Sequence, residues 1–243
     1  MQQCFIDVSG KKSQQVEIGS PDGRHLLRVL KKTPGDLLWI VDALGVRWKS
    51  KITEVRGENI FAELLEKSEE TRNPVKIRLV TALPKGDRLK WMIEKCCEAG
   101  VDEIIPLQSS RTVRVWGNKE YVGQKDKWQK RLLSSSKQSL RTTIPHIKPP
   151  ITFNDIITID VDSYRLILTP PDDKTISLLE YIRKSKSPDR DIYLLLGPEG
   201  GWSKEELSLA KRNNWTSVHL GRNILRIETA GLFAVQFASL WSE

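Results

Sequence analysis

The sequence predicts an α/β fold with a small β-rich domain ahead of it. Three observations carry this. From residue 75 onward, apolar runs of strand length alternate with segments of helical period. Near the end, residues 192–196 and 217–220 each pass into a glycine-bearing loop and then a helix, as strands of an open parallel sheet do. Before residue 72, short strand-like runs are joined by tight turns.

In that first part, residues 37–41 and 46–55 read as strands joined by the turn Asp42-Ala43-Leu44-Gly45. A second turn at residues 56–59 leads into a strand over 60–65, and residues 25–30 allow a short helix. Several short strands with tight turns suggest a small barrel. Twelve basic and eleven acidic residues up to Pro74 leave this part almost neutral. The polar stretch KSEETRNP, residues 67–74, breaks the pattern and marks the linker. The expected domains are therefore residues 1–72 and 73–243.

The second part opens with a strand over 76–82. Asp87 is placed to cap the next helix, whose Leu89, Met92, Ile93, Cys96 and Cys97 recur at helical spacing to give one apolar face. Gly100 ends it. A strand over 103–107, a helix over 125–140, a short helix over 153–159 and a strand over 164–168 follow, and Thr175 is placed to cap a helix to about residue 186.

Residues 192–196 are apolar throughout, as in a strand covered on both faces. Gly197-Pro198-Glu199-Gly200-Gly201 then lets backbone approach a ligand closely, and Ser203 with Glu206 fits a capping box that starts the next helix. After residues 217–220 comes Gly221-Arg222-Asn223-Ile224-Leu225-Arg226-Ile227-Glu228-Thr229. Ile224, Leu225 and Ile227 together are foreign to a solvent loop; Leu220, Ile224 and Leu225 suit the wall of an apolar slot for a flat ring. The strand end at Leu168 offers a third wall. From Thr229 the chain reads as a helix with almost no polar face, hence covered on all sides, with a second subunit as the expected cover.

The paired motifs GPEGG and LGRNILRIETA resemble the RsmE family, uridine N3-methyltransferases of small-subunit ribosomal RNA in the SPOUT superfamily. HLLRVLKKTPGD in the first domain resembles that family's PUA-like barrel, and Gln138 and Arg141 before Ile144-Pro145 match a further motif. Two departures stand out: Ala99 replaces a usual leucine, and Lys137 replaces a usual glutamate. The resemblance implies a SPOUT-type parallel sheet with a C-terminal trefoil knot, S-adenosylmethionine as cofactor, and a homodimer formed through the last helix. It implies Leu168, Leu196, Gly197, Gly200, Gly201, Leu220, Ile224, Leu225 and Thr229 as cofactor contacts. Methyl transfer to uridine N3 requires removal of a proton, so Arg226, Glu199 and Glu228 are the catalytic candidates. For Glu228 a helix-dipole role, and for Arg226 a loop-pinning role, stand as alternatives.

The net charge is +8. Residues 109–148 hold ten basic and two acidic residues, so this segment alone equals the whole surplus. Trp116, Tyr121 and Trp128 lie among the cations, a pattern that suits phosphate pairing with base stacking. The RNA candidates are His25, Arg28, Arg111, Arg114, Lys127, Lys130, Arg131 and Arg141, with ribosomal RNA or the small ribosomal subunit as partner. No apolar run is long enough to cross a bilayer, the N-terminus lacks a signal-peptide core, and three cysteines without ligand spacing suit a reducing cytoplasm. Only three histidines, no G-x-G-x-x-G and no Walker lysine argue against metal, triad, dinucleotide and NTP chemistry. Two other functions remain open: a SPOUT enzyme methylating a ribose 2′-OH, and an RNA-binding assembly factor with an idle cofactor site.

Overall fold

The computed structural model describes residues 2–6, 14–68, 74–113, 117–172 and 175–243. The chain forms two compact units, residues 1–72 with 136–143 and residues 73–135 with 144–243.

The first unit contains β1 (Gln3–Phe5), β2 (Gln15–Ile18), α1 (Asp22–Arg28), β3 (Leu37–Val41), β4 (Arg47–Arg56) and β5 (Asn59–Lys67). The strands order as β1-β3-β4-β5-β2, antiparallel except for β1 on β3. Their inward residues, Val16, Ile18, Leu38, Ile40, Ile52 and Ile60, close on Leu26 of α1 and on Cys4. The turn after β3 forms because Asp42 Oδ1 accepts from the amides of Leu44 and Val46, both at 2.9 Å, while Gly45 takes φ +78°. Residues 136–143 join this unit through Gln3 Nε2, which donates to the Arg141 carbonyl at 2.6 Å, and through Lys137, whose Nζ meets Asp22 Oδ1 at 2.6 Å.

The second unit is a parallel sheet. Its elements are β6 (Ile77–Thr81), α2 (Asp87–Glu98), β7 (Glu103–Gln108), α3 (Asn118–Gln138), β8 (His146–Ile147), β9 (Ile151–Thr152), α4 (Phe153–Ile157), β10 (Tyr164–Leu168), β11 (Ile176–Ser177), α5 (Leu178–Lys184), β12 (Ile192–Leu196), α6 (Lys204–Arg212), β13 (Thr216–His219) and α7 (Ile227–Ser242). The strand order is β11-β13-β10-β12-β6-β7-β8, with β9 on β7, and every pairing is parallel. Central β12 is buried at every position, as its unbroken apolar run requires. The apolar face of α2 is buried at all five predicted residues. Helix α7 packs on α2, β6 and β12, with Gly231 at the closest approach, where a Cβ would stand 3.1 Å from Met92 Cε.

Several element boundaries differ from expectation. Gly86, at φ +64°, is the residue before α2, so Asp87 is its first helical residue and not its cap. Helix α3 starts at Asn118 because Tyr121 and Trp128 bury one face of it. Ser177, not Thr175, caps α5: its side chain accepts from the Glu180 amide. Helix α7 begins at Ile227, ahead of Thr229. It is not covered all round by its own chain, since Phe233 is 45% and Leu240 56% exposed. No described helix is long and apolar enough to cross a membrane.

Candidate active site

Strands β13, β10 and β12 are neighbours in the sheet, and their carboxyl ends open on one cavity of about 630 Å³. That size suits a cofactor or drug-sized ligand. Leu168 and Thr169 come from the end of β10, Leu196 and Gly197 from β12, Leu220 and Gly221 from β13. The loop to α7 adds Asn223, Ile224, Leu225 and Arg226, and α7 adds Ile227 and Ala230. Two glycine-bearing loops therefore share one pocket because β10 sits between the strands that carry them.

The loop after β12 is fixed from three directions. Trp202 lies flat on Gly197, where a Cβ would come within 2.8 Å of its Cε2, and its Nε1 donates to the Leu168 carbonyl at 2.8 Å. Ser203 and Glu206 form the full reciprocal capping box, and Glu206 Oε1 also accepts from the Ser110 amide at 2.9 Å. Arg111 packs across Gly200 and donates from Nη1 to its carbonyl at 2.9 Å. Gly201, at φ +67°, supplies the left-handed residue of the turn.

The rim is polar. Arg88 Nη1 donates to Glu199 Oε1 at 2.6 Å, and both side chains line the cavity. That hydrogen bond, with the Glu199 charge and, more weakly, the Glu228 charge, pushes the Arg88 guanidinium above its ordinary range. Arg226, the residue before α7, is exposed at the rim and has no partner among the described residues. Ile224 is 83% exposed, so it forms a lip of the cavity rather than an inner wall. Thr169 lines the cavity, but its Oγ1 is turned away from solvent and has no hydrogen-bond partner among the described residues.

The structure brings together Leu168, Leu196, Gly197, Gly201, Leu220, Ile224, Leu225, Glu199 and Arg226. Gly200 and Thr229 flank the cavity without lining it. Glu228 does not line it either: it is 8% exposed, its Oε2 has no partner among the described residues, and it sits in the first turn of α7. Sequence reasoning missed Arg88 and Trp202. The tryptophan directly after GPEGG was the available signal for the second.

Of the RNA candidates, His25, Lys127 and Lys130 are exposed and have no partner among the described residues. Arg28 pairs with Glu58 at 3.0 Å, Arg131 pairs with Glu94, and Arg111 is committed to the Gly200 carbonyl. Arg141 is half-buried and donates to Thr143 Oγ1 at 3.4 Å. Arg114 and Trp116 lie outside the described residues. The stacking expected of Tyr121 and Trp128 is corrected: they are 7% and 5% exposed and pack into the core, where the Tyr121 hydroxyl donates to the Ile147 carbonyl at 2.9 Å. Aromatic residues set among cations on a helix were here its inner face.

The chain matches the RNA methyltransferase domain family over residues 71–239 and the RNA methyltransferase PUA domain over residues 18–65. It is 26% identical to the ribosomal RNA small subunit methyltransferase E of Bacillus subtilis, across 100% of this chain and 98% of that one. It is 32% identical to the Synechocystis protein of the same name, across 87% of this chain and 68% of that one. A crystal structure of the Neisseria gonorrhoeae ribosomal RNA small subunit methyltransferase E, bound to S-adenosyl methionine, superposes with a TM-score of 0.81 at 26% identity, covering 97% of this chain and 95% of that one. The chain belongs to the ribosomal RNA small subunit methyltransferase E family, an RNA methyltransferase domain with a PUA domain before it.

Proposed function

We propose that the protein transfers a methyl group from S-adenosylmethionine to N3 of a uridine in small-subunit (16S) ribosomal RNA. The observation that carries this is the shared cavity at the ends of β13, β10 and β12, found in a chain of this family. The residues present fit the donor. Leu168, Leu196, Leu220, Leu225 and Ala230 offer apolar walls to a flat ring, and backbone groups of the two loops offer donors and acceptors to its edge. Gly200 belongs to the first of these loops, and Thr229 to the first turn of α7, which follows the second. When bound, the donor supplies an electrophilic methyl group.

The chain's own residues do the rest. The fixed loop after β12 holds the donor in place for the acceptor ring, and such orientation contributes up to about 7–11 kcal/mol in the best model systems. Arg226, exposed and unpartnered at the rim, faces the charge that builds on the uracil oxygens as N3 loses its proton. Of the two candidate acids, Glu199 is engaged by Arg88, and Glu228 stands in the first turn of α7 outside the cavity lining, so Glu228 takes that proton only after its side chain turns into the cavity. An Arg226→Ala variant is expected to lose turnover by about a hundredfold or more, as removal of one preorganised donor does elsewhere, while binding the donor normally. Full turnover with intact donor binding would remove Arg226 from the chemistry.

We assign RNA binding to residues 1–72 together with the exposed cations of α3, and methyl transfer to residues 73–243. His25, Arg28 and Arg141 on the first unit and Arg111, Lys127, Lys130 and Arg131 on the second are the proposed phosphate contacts, with Arg114, outside the described residues, a further candidate from the sequence. The working protein is a cytoplasmic homodimer. Its interface uses the exposed face of α7, with Phe233 and Leu240, beside Trp91 on the neighbouring α2. A monomer in sedimentation at micromolar concentration would refute the dimer. On the same resemblance, the C-terminal part of the chain is threaded as a trefoil knot; stretching a single molecule would then leave it short of its full contour length. The decisive assay for function incubates the protein with donor and small subunits, then digests the RNA to nucleosides. The expected product is 3-methyluridine. A 2′-O-methyl nucleoside would favour ribose methylation, and retained RNA without any methylated nucleoside would favour an assembly factor.

A further inference from the structure

The cavity rim carries one ion pair, and its two halves come from neighbouring strands. Arg88 lies in the first turn of α2 after β6, and Glu199 lies in the loop after β12, which pairs with β6. Their side chains are 44% and 67% exposed. A pair so open to solvent contributes little to folding, and two long side chains are held in one geometry at the mouth of an apolar slot. Stability does not account for its place.

We propose that Arg88 and Glu199 form the receptor for the amino-acid head of the methyl donor, the guanidinium taking its carboxylate and the glutamate its ammonium. The inference rests on the donor reading above. A zwitterionic α-amino acid presents one anion and one cation, the mirror of this pair. Entry of the head converts one ion pair into two charge-assisted contacts, and no charge is left uncompensated on the way. The guanidinium is a planar fork of five donors, so it can grip a carboxylate through two N–H groups. The other guanidinium on the rim, Arg226, makes no ion pair among the described residues and so offers only half of what a zwitterion needs. Glu199 is then a recognition group and does not take the N3 proton.

A donor analogue without the head loses both contacts, and this separates the idea from general binding. Calorimetry on the full chain compares S-adenosylhomocysteine, which keeps the amino-acid head, with 5′-methylthioadenosine, which lacks it. The unaltered protein is expected to prefer the first by roughly tenfold to hundredfold, the range for hydrogen bonds to charged groups. Arg88→Ala and Glu199→Gln should each reduce that preference to within about threefold while 5′-methylthioadenosine binds as before. Both side chains are exposed, and unchanged thermal melting will verify that the variants fold. A preference that survives both substitutions overturns the proposal. So does an equal fall in affinity for both ligands. If the unaltered protein binds neither ligand, the donor reading itself fails and takes this inference with it; if it binds both and only the variants disagree, the donor reading stands alone.

Discussion

At the scale of single residues, three glycines of one loop are glycine for three different reasons. At Gly197 a side chain would strike the indole of Trp202; at Gly200 it would press on Arg111 Cβ at 3.3 Å; at Gly201 there is open space but φ is +67°. Gly197→Ala therefore forces Trp202 off the wall of the donor cavity. Overpacking of this kind costs about 1–3 kcal/mol. We expect donor affinity, read by calorimetry, to drop at least about tenfold, a change of about 1.4 kcal/mol. Gly201→Asn should be tolerated because asparagine visits the left-handed region, whereas Gly201→Ala should lower stability by roughly 1–2 kcal/mol. Normal donor binding by Gly197→Ala would show that the ring is not wedged there. The cysteines show the same dependence on surroundings. Burial, helped by the Asp22 charge and opposed by Lys137, pushes the Cys4 thiol up to about 12, and burial with the neighbouring Cys97 pushes Cys96 up as well. A thiol whose folded value is raised keeps its proton as pH climbs past the unfolded value of 9.0, so this contribution to stability declines from there to about 12. Native protein at pH 9 should leave Cys4 and Cys96 unmodified by maleimide, with labelling only on unfolding. Rapid labelling of the folded chain would contradict the burial.

At the scale of elements, what the sequence made legible was whatever depends on neighbours in the chain. The all-apolar run of β12, the five-residue face of α2 and the Ser203–Glu206 capping box follow from local spacing and are found as expected. The start of α3 was hidden because residues 117–124 hold two glycines and no apolar period, Val122 being exposed, and only the burial of Tyr121 in the fold pays for helix there. The cavity loops were legible because strand ends and glycines mark them. Arg88 was not, because its place on the rim depends on β6 lying next to β12. Glu206 shows both cases in one side chain. Its Oε2 serves the local cap, while its Oε1 holds Ser110, an amide 96 residues away. With Arg111 on the Gly200 carbonyl, this fastens the connection after β7 to the loop that lines the cavity. Glu206→Gln keeps one acceptor and loses the charge, so about 1.5–3 kcal/mol of stability should go. Hydrogen exchange at the Ser110 amide should accelerate in step with that loss. An unchanged exchange rate would mean that this carboxylate does not hold the connection in solution.

At the scale of the whole molecule, the surplus charge is smaller where it counts than composition implies. Within residues 109–148, Arg131 is matched by Glu94, Lys148 by Glu103 at 3.1 Å and Lys137 by Asp22. What remains on α3 as cations without a partner among the described residues is Lys119, Lys125, Lys127 and Lys130, all exposed. Phosphate contacts release counterions, so each one contributes about 0.7 to the slope of log affinity against log salt for single-stranded RNA and about 0.9 for a duplex. A double variant, Lys127→Glu with Lys130→Glu, should therefore flatten the slope by roughly 1.4–1.8. Neither lysine lines the donor cavity, so donor affinity should not change. Arg131→Glu is the informative contrast: its guanidinium already answers Glu94, so the slope should move less while the lost pair lowers stability. Should the double variant keep the original slope, the RNA track does not run along α3, and the same salt titration on His25 and Arg28 variants would locate it on the first unit instead.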